Sequence, residues 1–106
     1  MEKSEFEIKI TPKAYEDLDE IYGYIANELY NEDAADNLLE KMETNIMRLK
    51  EFPFSCSYVR DEILKNKGYR KLIVDNYIIF HLVNESDKEV VIMRVLYGKQ
   101  KYQDLI

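Results

Sequence analysis

The sequence predicts an α+β fold: an N-terminal strand, an antiparallel helical hairpin, a three-stranded antiparallel meander and a short C-terminal tail or helix. Three observations predict it. An alternating run opens the chain, two runs with apolar residues at three- and four-residue steps follow, and β-rich runs with hairpin-length separators close it. The 106 residues accommodate one domain, residues 1–106, and the 46% apolar content with only 3 Gly and 2 Pro describes an ordered globular chain.

In the first run, Phe6, Ile8 and Ile10 alternate with polar residues, as in a half-buried strand. Thr11-Pro12 then starts a helix, because a hydroxyl accepts from an orphan amide and the fixed φ of proline suits the first turn. Tyr15, Leu18, Ile21, Tyr22, Ile25 and Leu29 form its apolar stripe, and the acidic group Glu16, Asp17, Asp19 and Glu20 is expected on the solvated side. Gly23 interrupts this helix at a cost of about 1 kcal/mol against alanine, either for close approach of a neighbouring backbone or as a tolerated defect. After a short break comes a second stripe, Ala35, Leu38, Leu39, Met42, Ile46 and Leu49, capped by Asn31 or Asp33 and ended by Phe52-Pro53. Residues 54–68 show no clean period, and Asn66-Lys67-Gly68 reads as a turn. The β-rich runs are 69–74, 77–83 and 89–97; the middle one is apolar on both faces and is expected at the centre of the meander.

The net charge of −6 weighs against a generic nucleic-acid surface, but it is unevenly spread. Residues 1–53 carry 14 acids and 6 bases, whereas residues 54–106 carry 7 acids and 9 bases. Such polarity steers partners more than the sum does. No apolar run approaches the ~20 residues of a membrane helix, and the first residues lack an apolar signal region, so a cytoplasmic protein with no membrane partner is expected. The single cysteine, Cys56, allows no intrachain disulfide and no Cys/His zinc set, and no metal or cofactor is expected.

His81 is the one histidine, a candidate general base but, in a two-sided apolar strand, more simply a satisfied packing residue. Cys56 reads as a small apolar packing residue. Arg60, Arg70, Lys71, Arg94, Tyr97, Lys99, Lys101 and Tyr102 lie on or just beyond neighbouring strands. Converging on one side of the sheet, they would bind phosphates or bases; spread out, they are ordinary rim charge and amphipathic packing, which spacing alone favours.

This order of elements resembles the RelE/ParE toxin superfamily of prokaryotic toxin–antitoxin modules over nearly the whole chain. The helical half carries the resemblance in Ala14-Tyr15-Glu16-Asp17-Leu18-Asp19-Glu20-Ile21, Tyr24-Ile25-Ala26, Ala34-Ala35, Leu49 and Pro53. The sheet carries it in Tyr69-Arg70-Lys71-Leu72, Asn76-Tyr77-Ile78-Ile79-Phe80 and Ile92-Met93-Arg94-Val95-Leu96-Tyr97-Gly98-Lys99. The long helical pair is more similar to the ParE branch of plasmid-stabilisation proteins. That resemblance implies a toxin that inhibits an essential enzyme, DNA gyrase, and is held inactive in a hetero-oligomer by a cognate antitoxin whose C-terminal segment wraps it as a helix and a strand. The target-binding set on this reading is Arg60, Arg70, Arg94, Tyr97, Lys99, Lys101 and Tyr102. Two alternatives stay open. One is a metal-independent mRNA endonuclease acting on the ribosome, with Arg70, Arg94, Lys99 and His81 or Tyr97 supplying charge stabilisation and proton transfer. The other is a degenerate, non-toxic relative. Ribonuclease members often carry an arginine directly after the tyrosine of the central strand, where this chain has Ile78, and Gln100 stands where an arginine is common; both departures favour the binding toxin.

Overall fold

The computed structural model describes residues 5–99 and runs in the order β1 (Glu7–Ile10), α1 (Pro12–Gly23), α2 (Glu32–Met47), α3 (Glu62–Asn66), β2 (Arg70–Val74), β3 (Tyr77–Asn84) and β4 (Glu89–Tyr97). A π-helical turn, Tyr24–Glu28, continues α1, and a 3-10 turn, Arg48–Lys50, continues α2. The tail expected after residue 99 lies outside the described residues.

Local chemistry sets the helix boundaries. Thr11 Oγ1 accepts from the Ala14 N–H at 3.1 Å ahead of Pro12, and Asn31 Oδ1, not Asp33, accepts from the Ala34 N–H at 3.0 Å to start α2. Of the expected α1 stripe, Leu18, Ile21 and Ile25 pack against the core, but Ala14 and Asp17 are buried beside them while Tyr15 and Leu29 are exposed. Gly23 is no site of close approach, since a Cβ there would meet only Asn27 Nδ2 at 3.9 Å; it is a tolerated residue where the α-helix passes into the π turn. α3 is an addition to the predicted elements. Five residues are too few to display a period, but Asp61 caps it through the Leu64 N–H. The expected turn at 66–68 is its C-terminal end: Gly68 takes φ +92°, and the Tyr69 N–H donates to the Leu64 carbonyl at 3.0 Å.

The sheet order is β1-β4-β3-β2. β2, β3 and β4 form the antiparallel meander, while β1 lies parallel to β4, with Glu7 opposite Glu89 and Ile10 opposite Ile92. The helical hairpin packs Leu38, Met42, Ile46 and Leu49 against one face at Ile79, Val90, Ile92 and Val95. On the other face Val59, Leu64 and Tyr69 cover Phe80 and Leu96. Successive residues Ile79 and Phe80 are therefore both sealed from solvent, as a strand apolar on both faces requires. Each such side chain contributes about 1.5–3 kcal/mol on full burial, and this core fixes where the sheet ends fall.

Candidate functional site

β1 stops at Ile10, and among the described residues no strand lies on the outer edge of β4 beyond Ile92. α1 takes over that edge. The Thr11 N–H donates to the Ile92 carbonyl at 3.1 Å, Thr11 Oγ1 donates to the Met93 carbonyl at 3.0 Å, and Asp17 Oδ2 accepts from the Val95 N–H at 2.9 Å. Met93 is the extra residue of a bulge, because Phe80 faces Arg94 while His81 faces Ile92. A bulge re-aims the side chains beside it. Arg94 meets Asp17 in a bidentate pair, Nε to Oδ2 at 2.7 Å and Nη2 to Oδ1 at 2.9 Å. Asp17 is only 5% exposed. The hydrogen bond to Asp17 raises the already high pKa of Arg94 against the opposing effect of burial, with the negative charges of Asp17, Glu20 and Glu16 adding to it.

Two expectations are corrected here. Asp17 does not belong to a solvated acidic face, and Arg94 is not a free cation for a target or a phosphate, because the buried carboxylate and the half-buried guanidinium are paired with one another. The signal for Asp17 was present: it sits three residues after Ala14 and four before Ile21, on the buried stripe itself. A carboxylate there requires a partner.

Past this pair, a groove of about 760 Å³ opens between the end of α1 and the ends of β3 and β4. Glu20, Tyr24, Tyr77 and Tyr97 line it together with Asp17 and Arg94. The rings of Tyr77 and Tyr97 meet edge to face at 5.8 Å. Burial raises the Tyr77 phenol pKa, with smaller contributions from Tyr97 and Tyr24. Of these lining residues, Arg94 and Tyr97 are among the expected target contacts and Asp17 and Glu20 belong to the expected acidic face, whereas Tyr24 and Tyr77 enter the sequence reading only within longer motifs.

The remaining candidates do not join it. Arg70 lies opposite His81 and Tyr97 opposite Tyr77, four residues apart on β3, or roughly 13 Å at ~3.3 Å per residue. Arg70 and Tyr97 thus do not converge on one site, and the dispersed arrangement that spacing alone favours is the one found for them. Arg70 lies 4.1 Å from the Tyr58 ring centroid and 5.3 Å from that of Phe54, and its Nη1 donates to the Cys56 carbonyl at 2.6 Å. His81 is 0% exposed, so it has no solvent path for proton transfer. Nor is it fully satisfied: Nδ1 lies 3.3 Å from the Ile79 carbonyl, while Nε2 has no partner among the described residues. Burial lowers its pKa, opposed by the Ile79 carbonyl and assisted by Arg70. Cys56 packs partly buried against the core. Arg60 and Lys99 are exposed, Lys71 is half-buried opposite Phe80, and Lys101 and Tyr102 lie outside the described residues. Among the described residues no cluster of His, Cys, Asp and Glu is arranged to hold a metal ion, and no helix is long and apolar enough to cross a membrane.

A helical hairpin on a four-stranded sheet, with an acid of the first helix pinning the last strand, defines a small α+β protein of the RelE/ParE type. The model of the ParE toxin of type II toxin–antitoxin systems, parDE, matches residues 8–102, and the chain belongs to that family. Among curated proteins none matches the sequence. Solved structures share the fold. A chromosomal ParDE toxin–antitoxin system from P. aeruginosa superposes with a TM-score of 0.72 at 22% identity, over 89% of this chain and 97% of that one. The toxin–antitoxin complex RelBE2 of Mycobacterium tuberculosis gives 0.55 at 18% identity, over 88% and 98%. A conserved hypothetical protein of Helicobacter pylori gives 0.52 at 15% identity, over 90% and 97%.

Proposed function

We propose that this ParE-type toxin acts in the cytoplasm by binding and blocking DNA gyrase, and that a cognate antitoxin neutralises it in a hetero-oligomer. The observation that carries the choice of a binding toxin over a nuclease is the commitment of Arg94 to Asp17. Phosphodiester cleavage needs cations and proton-transfer groups gathered around one phosphate. Here Arg94 is neutralised, His81 is sealed in the core, and Arg70 stands roughly 13 Å along the sheet from Tyr97 at ~3.3 Å per residue. A surface that only has to adhere tolerates such dispersal. On this reading Arg60, Arg70, Tyr97 and Lys99 contact the target, continued by Lys101 and Tyr102. The antitoxin reading is supported by the similarity to ParDE and RelBE2, both solved as toxin–antitoxin systems. The outer edge of β2, where exposed Ile73 follows the Lys71 N–H bonded to Ser57, offers a strand edge to such a peptide.

Purified toxin is expected to inhibit gyrase supercoiling, with inhibition reversed by stoichiometric antitoxin. Unimpaired supercoiling at saturating toxin sinks the gyrase reading. Cutting of mRNA in a reconstituted ribosomal A site would move the assignment to the endonuclease, and normal growth after strong expression would move it to a non-toxic relative.

A further inference from the structure

The groove at the end of β4 has a chemistry of its own. Its wall is built from three phenol rings, with Tyr24 and Tyr97 exposed and Tyr77 half-buried. Aromatic faces carry partial negative charge and attract cations. The full charges beside them are unbalanced. Asp17 and Arg94 satisfy one another, with both Asp17 oxygens engaged, and this leaves Glu20 with no ion-pair partner among the described residues. The backbone points the same way. Because the Val95 N–H faces outward to Asp17, the two-residue alternation of a strand turns the Tyr97 N–H to the same outer edge, beyond the reach of β1.

We infer that this groove receives an extended peptide segment of a partner that pairs with the β4 edge at Tyr97 and inserts one lysine or arginine side chain between Tyr24, Tyr77 and Tyr97 against Glu20. Charge complementarity selects this occupant: an acidic side chain would meet Glu20 beside the phenol rings, and an aliphatic one would leave Glu20 without a counter-charge. The inference rests on the antitoxin reading only for the identity of the peptide. The groove's preference is a property of this chain.

The probe is a capped pentapeptide of two valines on each side of a central arginine, titrated into the full-length 15N-labelled protein, with a glutamine-centred peptide as control. The arginine peptide is expected to shift the amides of Tyr24, Tyr77 and Tyr97 and to bind about tenfold more tightly than the glutamine peptide. Glu20→Gln, an exposed change that leaves the Asp17–Arg94 pair intact, is expected to weaken the arginine peptide about fivefold and leave the control unchanged. Equal affinity for both peptides, or shifts confined to other surfaces, overturns the inference. Two further results would overturn it by naming another occupant. One is displacement of the same amides by Lys101→Gln in the free protein, which would assign the groove to the chain's own tail; the other is concentration-dependent shifts without peptide, which would assign it to a second copy. None of these readouts uses gyrase or antitoxin, so a failed supercoiling assay leaves the groove result standing, and the reverse.

Discussion

Arg94 on β4 and Arg70 on β2 flank β3 opposite its successive residues Phe80 and His81, yet the fold treats them in opposite ways. Arg94 is held by a carboxylate in a bidentate pair that also satisfies the Val95 N–H, so its charge is cancelled where it lies. Arg70 is held by the faces of Tyr58 and Phe54 and by the Cys56 carbonyl, contacts that fix the guanidinium without cancelling its charge. The first arginine is structural. The second is held rigid and still able to attract an anionic partner, which is why it stays in the proposed target-contacting set.

The contrast predicts unequal mutants. Arg94→Ala strands the Asp17 carboxylate at a poorly solvated strand edge and should cost about 3 kcal/mol, read as a lowered urea midpoint. Arg70→Ala removes ring contacts and one hydrogen bond at a half-exposed site and should cost about 1 kcal/mol, while reducing target inhibition out of proportion to that loss. Arg70→Lys should restore charge but little inhibition, since an ammonium lacks the planar face that stacks on Tyr58. If Arg70→Ala destabilises more than Arg94→Ala, the contrast is reversed.

His81 sharpens the comparison from beneath Arg70. Its folded pKa is lowered from 6.5 by burial, so the unfolded chain takes up its proton more readily. Protonation of the unfolded chain therefore takes stability away as pH falls through 6.5 toward the lowered folded value, and well above pH 6.5, where neither state binds the proton, His81 leaves stability independent of pH. Unfolding followed between neutral and mildly acidic pH should show a smaller decline in His81→Leu than in the parent chain. Equal declines would mean that His81 protonates without penalty.

Much of this architecture was legible along the chain. β3 and β4 follow from β-rich runs and from hairpin-length separators, and Thr11 and Asn31 mark helix starts through side-chain chemistry local to each turn. What escaped is non-local or too short. The parallel pairing of β1 with β4 joins residues some eighty positions apart, and the five residues of α3 hold no period. The site was less legible than the fold. Treating Asp17 as one of a run of acids obscured its place on the buried stripe, and the partner that explains it, Arg94, is 77 residues away. The bulge at Met93, which aims Arg94, leaves no mark in a run of apolar residues.

A double-mutant cycle between Asp17→Ala and Arg94→Ala, followed by denaturant unfolding, tests the central claim that this pair holds α1 to the edge of β4. The account predicts a coupling of about 2 kcal/mol, the double mutant being far less destabilised than the sum of the singles. A coupling near zero would contradict it and return Arg94 to the proposed target-contacting set.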